Sequence, residues 1–166
     1  GDVKLVGVTI SGGSVAASMG IKKKDDMGDL IIRAGEANLT INGGEIRDAA
    51  FGLSMMHERG RCVVNRTKFT KNSECCINYA AGSLAVSDVE FSGGKKGIFA
   101  WPGQSKARAS VVIESSTFAG HSDCDVETAG EIDLYLSNCQ LSSEDRSRLL
   151  NSPPSRILFG RPKDAQ

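Results

Sequence analysis

The stretch VVNRTKF, residues 63–69, decides the fold. An apolar pair is followed by polar residues and then by one large apolar side chain. Related profiles return in LTINGGEI (39–46), LAVSDVEF (84–91), VVIESSTF (111–118) and LYLSNCQL (134–141). The closing residues Ile46, Phe69, Phe91, Phe118 and Leu141 are 23, 22, 27 and 23 positions apart. The residue four places before each of them is Asn42, Asn65, Ser87, Glu114 or Ser137, so the register survives the longer repeat. A second short segment follows each closing residue by about seven positions: GLSMM (52–56), CINYA (76–80), GIFAW (97–101) and DVETA (125–129). Apolar alternation in runs this short, bounded by Gly, Ser and Asn, argues strands and not helices.

A unit of 22–27 residues with two or three short strands cannot bury its apolar face alone. Stacked coils can, because equivalent residues of successive coils fill one continuous cylinder. The pattern resembles the right-handed parallel β-helix of the pectin-lyase-like superfamily, including its carbohydrate-binding and sugar-hydrolysis type of repeat, over roughly residues 5–141. The resemblance implies an all-β solenoid of about five to six coils. It also implies that a ligand, where there is one, lies along an outer strand face, and in the lyases of that superfamily calcium-binding acids work with a basic residue.

The expected organisation is a single β-helix domain over 1–150 and an extended tail over 151–166, the whole forming the C-terminal part of a longer solenoid. Residues 142–150, SSEDRSRLL, have an N-cap candidate in Ser143, acids in the first turn and two closing leucines, which predicts a short capping helix over the last coil. The 36 residues from Ile10 to Ile46 exceed one repeat and predict an insertion in that coil.

The chain has 166 residues, 20 basic and 20 acidic, so it lacks the net field that drives binding to nucleic acid or anionic membranes. Nineteen glycines against nine aromatic residues suit many tight turns around an aliphatic core. Five cysteines form no CxxC pair and cannot all be bridged within one chain. They read as buried thiols in a reducing, cytoplasmic compartment, and no metal site is expected from them. No signal peptide, phosphate-binding glycine loop or GxSxG elbow is visible.

Setting Leu53, Ile77, Ile98 and Val126 inward puts Ser54, Met56, Cys76, Asn78, Phe99, Trp101, Asp125 and Glu127 on the outer face, with His121 and Asp123 in the preceding turn. His121, Asp123, Asp125 and Glu127, spaced by two, form the strongest cluster. Alternate side chains of a strand stand about 6.5–7 Å apart, near the separation of carboxyl pairs in glycoside hydrolysis. Asp123, Asp125 and Glu127 are thus the candidate catalytic residues, and Phe99, Trp101, His121 and Asn78 the candidate ligand-binding ones. Calcium on the same acids is an alternative, although the expectation is no cofactor. Lys95 and Lys96 fall in a predicted turn, and Met56–Arg61 in a loop.

Three functions fit these residues. The leading one is a non-catalytic recognition or scaffold domain presenting a rigid surface to a protein or glycan. The others are a polysaccharide-active fragment (lyase, hydrolase or phage tailspike piece) and a structural solenoid that assembles end to end through its N-terminal end.

Overall fold

Each repeat folds into one turn of a parallel solenoid in the computed structural model, which describes residues 2–12, 15–20, 30–32, 38–102, 108–142, 149–151 and 155–160. The strands are β1 (Asp2–Ser11), β2 (Val15–Gly20), β3 (Leu30–Ile32), β4 (Asn38–Arg47), β5 (Phe51–Asn65), β6 (Lys68–Thr70), β7 (Cys75–Ser87) and β8 (Glu90–Ser92). They continue with β9 (Lys96–Trp101), β10 (Ala109–Glu114), β11 (Thr117–Ala119), β12 (Cys124–Thr128), β13 (Ile132–Ser137), β14 (Leu149–Asn151) and β15 (Arg156–Phe159).

They stack into three ladders. The first runs β1, β4, the second half of β5, the second half of β7, β10, β13 and β15. The second joins the ends of β1 and β4 to β6, β8, β11 and a bridge at Gln140. The third runs β3, β2, the first half of β5, the first half of β7, β9, β12 and β14.

About four turns carry all three faces, starting at Asn38, Arg61, Ser83 and Ala109. The five to six coils expected from the repeats thus become about four complete turns between partial windings. Residues 21–29, 33–37 and 143–148 lie outside the described residues. No helix occurs among the described residues, hence none long and apolar enough to cross a membrane. Most of the expected capping helix falls outside the described residues, but its end is a strand: Leu149 pairs with Val126 and is buried. Its side chain adds one more layer to the apolar column, which a helix lying across the coil would not do in register.

The core is built from such columns. Leu53, Ile77, Ile98 and Val126 are in register and fully buried. Ile10, Ile46, Phe69, Phe91 and Phe118 stack likewise, so Ile10 and Ile46 meet across the 36-residue interval. Like side chains recur at this spacing because each must pack on its counterpart about 4.8 Å above and below.

The turns repeat as strictly as the strands. Gly43, Arg66, Asp88, Ser115 and Asn138, each three places before a closing residue, all have φ between 48° and 76°. Gly12, Asp48, Lys71, Gly93 and Gly120, each two places after one, have φ between 56° and 90°. The left-handed residue bends the chain sharply from one face to the next and leaves both flanking strands extended. Short hydrogen bonds hold the first of these corners, the Thr67 hydroxyl donating to the Asn65 carbonyl and the Ser116 hydroxyl to the Glu114 carbonyl, both at 2.8 Å.

Candidate functional site

The corners entering the third face place Glu74, Lys95 and Asp123 one above another, because Cys75, Lys96 and Cys124 are consecutive partners in the ladder. The Asp123 N–H donates to the Lys95 carbonyl and the Lys96 N–H to the Glu74 carbonyl, which fixes the three turns relative to each other. With Phe51, Cys75, Lys96 and Phe99, these residues line an open cleft of about 320 Å³ on the outside of the solenoid.

Ion pairs set the electrostatics of that cleft. Lys95 Nζ lies 2.9 and 2.8 Å from the two Glu74 carboxylate oxygens, and this hydrogen bonding raises the Lys95 pKa. Lys96 Nζ lies 2.5 Å from Glu127 Oε2 and 5.2 Å from the centre of the Phe99 ring. The hydrogen bond to Glu127 raises the Lys96 pKa against the opposing effect of partial burial. The result is a chemically mixed surface: two fixed ion pairs, an exposed carboxylate at Asp123 and a half-exposed ring at Phe99.

His121, Asp123, Asp125 and Glu127 do not share one solvent face. Asp123 is exposed, Glu127 half-buried, and the side chains of His121 and Asp125 fully buried. His121 Nδ1 is 2.9 Å from Asp125 Oδ1. Ser142, one coil on, donates to Asp125 from its backbone N–H at 2.7 Å and from its hydroxyl at 2.6 Å. Burial acts to raise the Asp125 pKa, but the hydrogen bonds from His121 and Ser142 outweigh it and hold the carboxyl below its usual range. Asp125 therefore serves as an ionised tie between coils.

The outward assignment is corrected at two other positions. Cys76 is buried because, like Asp125, it precedes the inward residue of its strand, where the chain is still turning onto the third face; Ser54, in register with Asn78, is buried as well. Asn78 and Trp101 are half-buried, with Asn78 paired to Phe99 in register. Trp101, at the far end of β9, does not line the cleft.

Lys95 lies in the expected turn, but other basic residues lie elsewhere than the sequence pattern predicts. Lys96 begins β9 and its ammonium lies beside the outer face of the strand, and Met56–Arg61 belongs to β5, with a register shift between His57 and Arg61 in place of a loop. The signal available for the cleft was the recurrence of charge one place before the third-face strands, at Glu74, Lys95 and Asp123.

All five cysteines are free. Burial pushes the Cys62 and Cys76 thiols up to about 12 and Cys124 to about 11. These thiols are packing groups and not nucleophiles at neutral pH. Among the described residues no group of three or more His, Cys, Asp or Glu side chains is placed to hold a metal ion.

Comparison of the sequence with family models and with curated proteins returns no match. The class of protein is therefore set by the structure alone: a parallel β-solenoid.

Proposed function

We propose that this chain is a non-catalytic recognition or scaffold domain of the pectin-lyase-like type, presenting the rigid cleft at Phe51, Glu74, Lys95, Lys96, Phe99 and Asp123 to a protein or glycan partner. The observation that carries this reading is the employment of the acidic cluster. Asp125 is buried and bound to His121 and Ser142, and Glu127 is paired with Lys96. Glycoside hydrolysis needs two carboxyl groups reaching the same bond from solvent, and of the two solvent-facing carboxylates that line the cleft, Asp123 and Glu74, the second is held in an ion pair by Lys95.

The cleft suits recognition. Its ring and polar groups sit on consecutive rungs of one ladder, so they are positioned before a ligand arrives and little ordering entropy is lost on binding. A half-exposed aromatic ring flanked by fixed donors and acceptors matches a sugar, which has apolar C–H faces and a polar rim, and a glycan is the occupant this surface favours.

A glycan-array screen with Phe99→Ala and Asp123→Ala beside the parent tests the reading. Binding of a glycan that falls about tenfold or more in both variants supports it. Binding that both variants retain places the site elsewhere. Glycan cleavage by the parent, lost in Asp123→Ala, replaces this reading with the enzymatic one.

A further inference from the structure

Both lysines that line the cleft are already taken by carboxylates. Lys95 Nζ is held by the two oxygens of Glu74 at 2.9 and 2.8 Å. Lys96 Nζ is held by Glu127 at 2.5 Å and lies 5.2 Å from the centre of the Phe99 ring. The Lys96 and Glu127 side chains are 31% and 23% exposed, against 51% and 43% for Lys95 and Glu74, so the second pair is the one a ligand meets first. Asp123 adds its own exposed carboxylate to the same lining.

A ligand carboxylate gains little in such a place. To reach Lys95 it must displace Glu74, which exchanges one ion pair for another and leaves the Glu74 charge beside the incoming one. To reach Lys96 it must do the same to Glu127 in a less exposed setting, where solvent and salt screen the repulsion less. Hydroxyl groups meet no such obstacle. A carboxylate has about four lone-pair sites, so Glu74 and Glu127 keep their lysines and still accept from a sugar hydroxyl. Phe51 and Phe99, both half-buried, lie on β5 and β9, two rungs or about 10 Å apart along the axis. The whole lining runs from β5 to the turn before β12, three rises of the ladder or about 14 Å, which is the length of a short oligosaccharide.

Taking the cleft as the glycan site proposed for it, we infer that it selects an uncharged glycan against one that carries carboxylates, and that Glu74 sets this selectivity by neutralising Lys95. A uronic-acid chain finds no ammonium group open to it at the mouth of the cleft. An uncharged chain lays ring faces on Phe51 and Phe99 and bonds its hydroxyls to the carboxylates between them.

The test is calorimetric titration of the 166-residue chain, and of its E74Q and F99A variants, with oligosaccharides of equal length: uncharged gluco-, manno- and galacto-configured chains, oligogalacturonate and oligoglucosamine. The parent should bind at least one uncharged chain about tenfold or more tighter than oligogalacturonate. E74Q leaves Lys95 without its counter-ion, so the ratio of the two affinities should move about tenfold towards oligogalacturonate, and high salt should remove that gain because it comes from an exposed ion pair. A parent that prefers oligogalacturonate or oligoglucosamine, with that binding lost in F99A, overturns the inference and leaves the cleft a glycan site. An affinity ratio that E74Q does not change overturns the role of Glu74. Binding that F99A leaves intact, or silence towards every chain offered, overturns the glycan reading of the cleft and the selectivity with it.

Discussion

Asp125 holds Ser142 of the following coil at two points, accepting from its backbone N–H at 2.7 Å and from its hydroxyl at 2.6 Å, while His121 closes on the same carboxylate at 2.9 Å. A buried carboxylate with three donors is costly to remove, since each donor is left without its partner in a dry site. Asp125→Ala should lower unfolding free energy by about 2–4 kcal/mol in urea titration. The pH dependence follows from the depressed carboxyl pKa. The folded state binds this proton less readily than the unfolded chain, so the stabilisation is present above the unfolded pKa of about 3.9 and is lost as pH falls through the folded value. The stability gap between the parent and Asp125→Asn should therefore shrink as the pH falls below about 4. A gap that is level down to about pH 2 would show that the charge of Asp125 contributes nothing.

Ser115 has φ 48° at a corner where the equivalent residue of an earlier coil is Gly43. An L-residue pays about 1–2 kcal/mol in that conformation, and glycine's greater freedom in the unfolded chain returns about 0.4–1 kcal/mol of this. Ser115→Gly should thus stabilise the fold by roughly 0.5–1 kcal/mol, against the usual effect of glycine in a β-protein. Gly94 behaves oppositely. It has φ 82° and lies so close to the Asn72 carbonyl oxygen that an added methyl group would collide with it. Gly94→Ala should cost about 2 kcal/mol or more, and parallel thermal melts of the two variants would show shifts of opposite sign.

The difference between these two glycine effects also shows what could be read from the residues in order. The column of Ile46, Phe69, Phe91 and Phe118 was legible because every coil spends a large apolar side chain on the same place, and register alone then fixes the ladder. The left-handed corners were not, since Gly43, Arg66, Asp88, Ser115 and Asn138 share a backbone angle and no chemistry. Asp125 was misjudged for a related reason. Period-two alternation placed it outward, but at the entry to β12 the chain is still turning, and a residue 17 positions later, Ser142, covers it. The cleft was partly legible: Phe99 and Asp123 were among the candidates, whereas Glu74 and Lys95 matter only because the ladder brings their turns together.

Phe91 is the middle ring of a stack, 5.3 Å from Phe69 and 4.7 Å from Phe118, with interplanar angles of 19° and 11°. It is buried on all sides and contributes to two ring pairs at once. Phe91→Ala should cost about 3–5 kcal/mol, while Phe91→Leu, which keeps most of the volume, should cost under about 2 kcal/mol. The double variant Phe69→Leu/Phe91→Leu should cost less than the sum of its single changes, because the first already removes the shared ring contact. Strict additivity in urea unfolding would mean that the rings act only as bulk.

Tyr79 offers the converse case, a large core side chain with one atom working against the fold. It is fully buried between Met55 and Ala100 in the third ladder, and its hydroxyl has no hydrogen-bond partner among the described residues. Burial raises its pKa strongly, so the phenol stays neutral across the accessible range. Deleting the oxygen removes an unsatisfied polar group without opening a cavity larger than one atom. A buried hydroxyl left without a partner costs about 1–3 kcal/mol, so Tyr79→Phe should raise stability by about 1 kcal/mol after a small loss of packing. Thermal and urea unfolding measure this directly. Destabilisation by Tyr79→Phe would show that the hydroxyl is satisfied in solution by a group beyond the described residues.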